Sequence, residues 1–413
     1  MEDKQTQPKR AFPEGFLWGA STASYQVEGG IENTDWAEAA REGRVPVCGR
    51  ACDHYNRYEE DFDLAKSLNH NAHRFSVEWA RIEPTEGKFD EAAIEHYRKV
   101  LKALHARGLY PLMTLWHFSL PLWFSQKGGF ESKEAPALFA RYCAYVAEQF
   151  KDECTYFSTI NEPMVFASLG WLSGLWPPFK KFSLSNLFSS THTTRALQSK
   201  SVSSFSNFLM HLRVFKHLAQ AHNAAYDAIK RVHLDADVSI VKHVVCYAGS
   251  SNPVYTVWAW ISNYWWTHRF MRLVYRKCDS IGLNYYQYKK YGDAKTYRKT
   301  DMGWNDAPEH IYDALKILAR YHKPIYISEA GIADRADTHR AAYITRQVEG
   351  TLRAIQEGID VRGHFYWSLL DNYEWAFGFE KRFGLIEIDY ETLTRTVRPS
   401  ARVYAEICRT NSL

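Results

Sequence analysis

The sequence of 413 residues predicts one α/β domain, a closed (β/α)8 TIM barrel with decorated loops at its C-terminal face. Three observations predict this fold. Eight short apolar or β-branched runs are spread along the chain, helical patterns separate most of them, and no linker rich in Pro, Gly or Ser divides the sequence. Alternating strands and helices are typical of a parallel sheet, and eight repeats favour closure into a barrel. We therefore expect a single domain over residues 1–413.

The apolar runs and the helical patterns follow one another in chain order. The predicted strands are Phe16–Ser21, His73–Trp79, Tyr110–Trp116, Tyr156–Ile160, Val238–Val245, Ser280–Tyr285, Pro324–Ser328 and Gly363–Leu369. The clearest predicted helices are Asp61–Leu68, Ala92–Arg107, Ala135–Phe150, His211–Val232, Ile311–Tyr321 and Ala341–Gly358.

Two segments depart from this alternation. Residues 182–207 are rich in Ser and Thr and lack periodicity, which predicts a long, partly disordered surface excursion after the fourth strand; a lid or a partner site is the alternative. Val254–Tyr275 is dense in Trp, Tyr and Arg. The pattern favours an aromatic helix that packs over the barrel or lines its mouth, with a helix at a membrane surface as the alternative.

Composition excludes several classes of protein. A net charge of +4 gives no reason to expect nucleic acid or a membrane as partner. The seven cysteines are scattered and complete no zinc set, so we expect no metal and no cofactor. The polar stretch Met1–Pro13 lacks an apolar signal core, and no run of 18 apolar residues occurs, so a cytoplasmic location is expected. Homo-oligomerisation is left open.

Aromatic residues are unusually frequent, at 15% of the chain with 14 Trp and 26 Tyr. They could fill a large core. They could also form a carbohydrate site, because the apolar faces of a sugar stack on flat rings whose N–H or O–H groups can form hydrogen bonds. Composition leaves both interpretations open.

Two glutamates stand where predicted strands end. Glu162 follows the fourth strand in Thr159–Pro163, and Glu329 follows the seventh in Ile327–Gly331. In a barrel of this kind catalytic groups lie at the carboxyl ends of the strands. Paired carboxylates suit glycoside hydrolysis: a separation of about 5 Å gives retention and about 6.5–9.5 Å gives inversion. The sequence does not decide between the two outcomes.

The neighbouring residues resemble glycoside hydrolase family 1, the family of β-glucosidases and β-galactosidases. Asn161-Glu162-Pro163 and Glu329-x-Gly331 are similar to its two signature motifs. The resemblance runs almost from end to end of the chain. Further motifs that resemble those of the family are Phe16–Gly29, Arg74–Ile82, Leu115–Pro121, Gly282–Tyr286 and Tyr366–Trp375.

The resemblance implies a role for each matching residue. Glu162 would be the acid/base and Glu329 the nucleophile of a retaining mechanism. Arg74 and Tyr286 would contact Glu329, Asn284 would support the pair, and Trp304 would lie toward the aglycone. The residues that would bind or stack on the terminal sugar are Gln26, His117, Asn161, Trp367, Glu374 and Trp375.

The resemblance also narrows the expected substrate. Family members specialised for thioglucosides lack the acid at the position of Glu162, so an O-glycoside is implied. Members that act on 6-phosphosugars lack the Glu374-Trp375 pair, so an unphosphorylated glucose-, galactose- or fucose-like β-glycoside or oligosaccharide is implied. Ser328 and Ala330 replace the usual Thr and Asn on either side of the nucleophile. A carbohydrate-binding pseudoglycosidase that has lost turnover is therefore the alternative.

Overall fold

A computed structural model describes residues 10–182, 198–292 and 297–413 of the chain. Eight parallel strands pair in sequence order, and the eighth pairs with the first, so the predicted closed barrel is confirmed. The strands are β1 Leu17–Ser21, β2 Ala72–Ser76, β3 Tyr110–Trp116, β4 Tyr156–Asn161, β5 Asp237–Gly249, β6 Ser280–Tyr291, β7 Ile325–Ala330 and β8 Val361–Trp367. A short antiparallel pair, β9 Ile386–Ile388 and β10 Arg395–Val397, follows the barrel.

Helices connect the strands and cover the barrel. Helix Glu91–Ala106 illustrates why they form: the Asp90 carboxylate accepts hydrogen bonds from two backbone N–H groups of the first turn, and buried Ile94, Tyr97, Leu101 and Leu104 recur at helical spacing. The other α-helices are Ser24–Val27, Asp35–Arg41, His54–Ser67, Trp79–Ile82, Leu122–Gln126, Ala135–Phe150, Pro163–Trp171, Gln198–Val232, Pro253–Asn263, Arg269–Val274, Ile311–Ala319, Arg340–Gln356 and Pro399–Thr410. The remaining helical turns are Gly129–Glu131, Tyr264–His268, Tyr275–Lys277, Pro308–His310 and Trp375–Phe377.

Several observed boundaries differ from the predicted ones: β5 and β6 extend to Gly249 and Tyr291, β8 begins and ends two residues earlier, and three further differences bear on the site. The run His73–Trp79 ends as a strand at Ser76, and its last residue begins helix Trp79–Ile82. Strand β7 continues through Glu329 to Ala330, so Glu329 lies on the strand rather than after it. Residues 198–207 of the predicted excursion form the start of helix Gln198–Val232, and residues 183–197 lie outside the described residues.

The barrel is filled at one end and open at the other. Ala72, Leu112, Tyr156, Tyr326 and Phe365 form a buried cluster inside it. Four of these five belong to the first halves of their strands, so the packed layer closes the amino end of the barrel. The carboxyl ends of the strands, where the two glutamates stand, are left to form a cavity.

Candidate active site

Glu162 and Glu329 come from strand ends on opposite sides of the barrel, and both line one cavity of about 530 Å³. A cavity of this size can hold a sugar and part of its aglycone. The structure brings most of the predicted site residues to the same wall. Those that line the cavity besides the two glutamates are Gln26, His117, Tyr286, Trp304, Trp367, Glu374 and Trp375.

Hydrogen bonds to both oxygens hold the Glu329 carboxylate. Arg74 donates from Nη1 to Oε1 at 2.5 Å, and the Tyr286 hydroxyl donates to Oε2 at 2.8 Å. Arg74 lies on β2 and is fully buried, while Tyr286 lies on β6. A buried guanidinium and a phenol on the two oxygens stabilise the ionised carboxylate and leave little rotational freedom. The contacts expected of Arg74 and Tyr286 are therefore present.

Glu162 has a different environment. Its Oε1 accepts one hydrogen bond, from Asn284 Nδ2 at 2.8 Å. Burial raises the pKa of Glu162 to about 8, and the charge of Glu329 adds to the increase; the Asn284 hydrogen bond and the charges of Lys242 and Arg74 oppose it. At neutral pH this carboxyl therefore keeps its proton.

The backbone at Glu162 is held in the left-handed region, with φ 46° and ψ 58°. Such a conformation is unfavourable for a residue with a side chain and persists only where the surroundings enforce it. Pro163 begins a helix directly after it, and the Glu162 N–H donates to the Val241 carbonyl on β5 at 3.0 Å. The strand-to-helix junction thus aims the side chain into the cavity.

Asn161 and Asn284 lie behind the cavity wall and connect the two glutamates. The Asn161 Oδ1 accepts from Arg74 Nη2 at 2.8 Å and from Asn284 Nδ2 at 3.2 Å. Ser328 Oγ donates to Asn284 Oδ1 at 2.8 Å. Since all four side chains are buried, this network fixes their amide orientations. Asn284 is thus in the supporting position expected, whereas Asn161 is held by protein partners and is not part of the cavity lining.

Four buried polar atoms of the cavity wall have no hydrogen-bond partner among the described residues: Gln26 Oε1, His117 Nδ1, His243 Nδ1 and Glu374 Oε2. The Asn161 amide lies 3.3 Å from His117 Nε2, and since its oxygen is fixed by two donors, its N–H₂ faces that nitrogen. His117 Nε2 is then the acceptor and Nδ1 carries the proton, while burial, with the charge of Arg74, holds the pKa of this imidazole well below its usual range. The wall therefore presents a donor at His117 and an acceptor at Gln26 that lack protein partners, which matches a polyhydroxylated ligand.

Aromatic rings complete the cavity. Trp367 lies nearly parallel to the His117 ring, with centroids 5.8 Å apart, and Trp375 lies parallel to it at 6.2 Å. Trp304 packs against Tyr286, with ring centroids 5.5 Å apart, and both belong to the same apolar cluster as Trp367. A flat ring can stack on the apolar face of a sugar, and convergent polar groups beside it can bind the hydroxyls.

Ala330, the departure next to Glu329, is fully buried in the barrel wall. It pairs with Tyr285 on β6 and with Tyr366 on β8. Because Arg74 and Tyr286 already hold both oxygens of Glu329, the absence of an amide at position 330 leaves the carboxylate anchored.

The sequence analysis missed Lys242 on β5. Its side chain is fully buried, its Nζ donates to the His243 carbonyl at 2.5 Å, and it lies 5.0 Å from the centre of the Trp266 ring. Burial lowers its pKa to about 7, against the opposing effect of Glu162. A lysine within the apolar run Val238–Val245 was the available signal, since a buried amine needs a specific partner.

Comparison with known proteins agrees with this geometry. The sequence profile of glycosyl hydrolase family 1 matches residues 8–295 and 258–413. A 1,4-β-D-glucan glucohydrolase of Thermotoga neapolitana is 32% identical, over 98% of this chain and 99% of its own length. A β-galactosidase of Saccharolobus solfataricus is 31% identical, over 98% and 96%. A solved β-glycosidase from Pyrococcus horikoshii superposes with a TM-score of 0.86 at 35% identity, covering 98% of this chain and 96% of that one. The chain belongs to glycosyl hydrolase family 1.

Proposed function

We propose that this protein is a retaining, exo-acting β-glycosidase in which Glu329 is the nucleophile and Glu162 the acid/base. The observation that supports this division is electrostatic. Both oxygens of Glu329 accept charge-stabilising hydrogen bonds, whereas buried Glu162, with a pKa raised to about 8, keeps a proton. Two carboxyl groups in one cavity with opposite protonation states are what double displacement at a sugar requires.

In the first step the Glu329 carboxylate attacks the anomeric carbon and the bond to the aglycone oxygen breaks. Glu162 gives its proton to that oxygen, so the aglycone leaves as a neutral alcohol or phenol. Positive charge develops on the sugar ring as the bond breaks. The second oxygen of Glu329 stays with Arg74 or Tyr286, which keeps the nucleophile oriented through the step.

In the second step water releases the sugar. Formation of the glycosyl ester removes the negative charge of Glu329, and with it one of the causes that raise the pKa of Glu162. Glu162, now ionised, takes a proton from water as the water attacks the anomeric carbon, and Glu329 leaves as a carboxylate. Two inversions give a product with the configuration of the substrate.

The terminal sugar is proposed to be an unphosphorylated D-glucosyl, galactosyl or fucosyl residue. Its hydroxyls would meet Gln26 Oε1, His117 Nδ1 and Glu374 Oε2, the wall atoms described above. Trp367 and Trp375 would contact its apolar face, and Trp304 the aglycone. Asn161 is proposed to act toward the 2-hydroxyl, through the amide nitrogen that lies near His117. The glucohydrolase and galactosidase names of the relatives support both sugars.

Nothing in the site favours the binding-only alternative. A pseudoglycosidase would not need a nucleophile held by two donors. Here both glutamates are present, buried and differently partnered.

We also propose that the chain forms one domain and that the protein is cytoplasmic. The barrel strands extend from residue 17 to residue 367, and the C-terminal helix packs back on them: the Tyr404 hydroxyl lies 3.0 Å from the Gly19 carbonyl. All seven cysteines are buried and unpaired, as expected of a reducing compartment.

The test is hydrolysis of nitrophenyl β-D-glucoside, β-D-galactoside and β-D-fucoside, with the anomer of the released sugar followed by proton NMR from the first minutes. We expect the β anomer to appear first. First appearance of the α anomer would exclude the retaining mechanism, and no release from any of the three glycosides would favour the binding-only alternative.

A further inference from the structure

An apolar surface lies beside the cavity on the segment that connects β5 and β6. Eight of the 16 large apolar side chains that the described residues expose fall between positions 254 and 273. Trp260 is 65% exposed and Trp258 is 56% exposed. We call this surface the aromatic face; it comprises Val254, Tyr255, Val257, Trp258, Trp260, Ile261, Trp265 and Leu273. Contiguous apolar exposure on this scale marks an interaction site.

Val254–Tyr275 was predicted to pack over the barrel or to line its mouth. Trp266 does line the cavity and Phe270 and Met271 are buried, whereas the aromatic face itself is exposed. Helix Pro253–Asn263 buries Ala259 alone, while Val254, Val257, Trp258 and Ile261 recur at i, i+3, i+4 and i+7 on its open side. The segment is anchored by its second half, where Phe270 and Met271 are buried. The helix thus presents a row of apolar side chains outward from a fixed base.

The charges around the aromatic face are positive. Residues 253–277 contain four Arg or Lys and no Asp or Glu. Within the described part of the chain, Arg269, Arg272 and Arg276 form no ion pair; instead, Arg269 lies 4.2 Å from the centre of the Trp265 ring, and Arg272 lies 5.3 Å from that of Tyr264. Exposed Trp and Tyr side chains with flanking arginines and no acid are typical of helices that lie in the headgroup region of an anionic bilayer.

The same positive charges argue against a dimer in which a second copy of the chain covers the aromatic face. In a two-fold dimer built on this face the same patch would lie on both sides, so the arginines of one copy would oppose those of the other. A phospholipid surface supplies the opposite charge over a wide area, together with an apolar layer beneath it.

The aromatic face and the cavity wall are parts of one segment. Trp265 is exposed, and the next residue, Trp266, lines the cavity. Asn263 Nδ2 donates to the carbonyl of Tyr247, another cavity residue, at 2.8 Å. A surface bound to the aromatic face would therefore lie next to the cavity mouth.

We propose that this protein docks peripherally on anionic lipid membranes through the aromatic face. Trp258 and Trp260 enter the headgroup region, and the exposed Arg272 and Arg276 meet the phosphates, with the cavity mouth held at the lipid surface. No helix in the described part of the chain is long and apolar enough to cross a bilayer, so the attachment is reversible and superficial. Docking does not depend on the proposed hydrolysis, and the two can fail separately.

The experiment is co-sedimentation with vesicles of phosphatidylcholine, with and without phosphatidylserine, at equal total lipid. We expect binding to the serine-containing vesicles that weakens as salt rises. Trp258→Gln combined with Trp260→Gln should lower the binding constant by about tenfold or more. Charge reversal at Arg272→Glu should lower it on anionic vesicles only.

The control variants replace exposed apolar or charged side chains outside the aromatic face. Leu234 and Val47 are 75% and 66% exposed, so Leu234→Gln with Val47→Gln tests apolar exposure as such, and Arg50→Glu tests charge as such. Hydrolysis of a soluble nitrophenyl glycoside checks that each variant is folded. The proposal is overturned if the wild type does not sediment with anionic vesicles, if the controls lose as much binding as the Trp variants, or if those variants abolish a solution dimer and leave vesicle binding unchanged.

Discussion

Glu162 and Glu329 are chemically identical side chains that their neighbours make different. Arg74 and Tyr286 donate hydrogen bonds to both oxygens of Glu329, whereas Glu162 is buried near the charge of Glu329 and accepts a hydrogen bond only from the Asn284 amide. In the proposed mechanism, the division between the attacking and the protonating glutamate is thus set by strands β2 and β6, which carry neither glutamate.

The buried Lys242 makes the role of Glu162 testable through pH. If Glu162 is the acid, as we propose, kcat/KM requires its protonated form and should fall as pH rises through about 8. Burial lowers the pKa of Lys242 to about 7, so this lysine and Glu162 titrate over the same pH range, and the charge that Lys242 carries there favours the ionised form of Glu162. Lys242→Met removes that charge, and the alkaline limb should then move to higher pH.

The control for this prediction is Lys102→Met, because Lys102 is exposed on helix Glu91–Ala106. This variant should leave the pH of the alkaline limb unchanged. Glu374 is also buried and its pKa is raised to about 8, by burial and by the charge of Glu329, but Lys242 is not among the causes. If Lys242→Met leaves the alkaline limb of the kcat/KM profile unchanged, the limb reports the titration of a group other than Glu162.

At the scale of single elements, sequence patterns located the strands well because a buried parallel strand must be apolar along its length. The patterns placed boundaries less accurately where one apolar run spans the end of a strand and the start of a helix. Trp79 continues the apolar run of β2 but begins a helix, since the Glu78 carboxylate accepts the N–H of Ala80. The sequence also left open how Val254–Tyr275 divides between the barrel and solvent: Trp266 lines the cavity, while the apolar row of helix Pro253–Asn263 is exposed.

The residues that hold the glutamates were found only through family resemblance. Arg74 and Tyr286 lie more than 250 and about 40 positions from Glu329 in the chain, and closure of the barrel brings them together. Lys242 was missed because Glu162, the charge with which it interacts, directly follows the neighbouring strand β4. Contacts of this kind follow from strand pairing and register, which a single sequence does not specify.

Gly331, two residues after Glu329, lies against the end of strand β8, and a side chain at this position should disturb both the fold and the site. A Cβ at Gly331 would lie 1.9 Å from the carbonyl oxygen of Trp367, so Gly331→Ala must push the two strand ends apart. We expect the free energy of unfolding to fall by about 3 kcal/mol or more and activity to be lost, because Glu329 and Trp367 move relative to each other.

Gly358→Ala is the comparison for this prediction. Gly358 has φ 87° with open space around it, so the substitution costs about 1 kcal/mol of backbone strain and leaves the site intact. Urea unfolding and kcat measure both effects. Equal losses in the two variants would show that the contact between Gly331 and Trp367 does not constrain the site.

At the scale of the whole molecule, the fold depends on buried charges that join the barrel to its C-terminal part. Asp371 follows β8 and is fully buried; it accepts from Arg398 at 2.7 Å, from Arg382 at 3.2 Å and from the Gly384 N–H at 2.8 Å. Arg398 directly precedes the last helix. This cluster therefore holds the loop that carries Glu374 and Trp375 against the C-terminal helix Pro399–Thr410.

Asp371→Ala would leave two arginines without their buried partner, and we expect it to lower the free energy of unfolding by about 3–5 kcal/mol. The pair Glu406–Arg409 is a matched control, because both side chains are 59% exposed; Glu406→Ala should leave the unfolding midpoint unchanged. Urea denaturation followed by circular dichroism distinguishes them. Similar midpoints for the two variants would show that the cluster does not tie the C-terminal helix to the barrel.

The assignment of the two glutamates is tested most directly by azide rescue of Glu329→Gly and Glu162→Ala with a nitrophenyl β-glycoside. Without its nucleophile the enzyme should be inactive, and azide entering from the side of Glu329 should give the α-glycosyl azide. Without its acid/base the enzyme should still form the glycosyl ester, and azide in place of water should give the β-glycosyl azide. The same anomer from both variants, or the two anomers exchanged, would contradict the assignment.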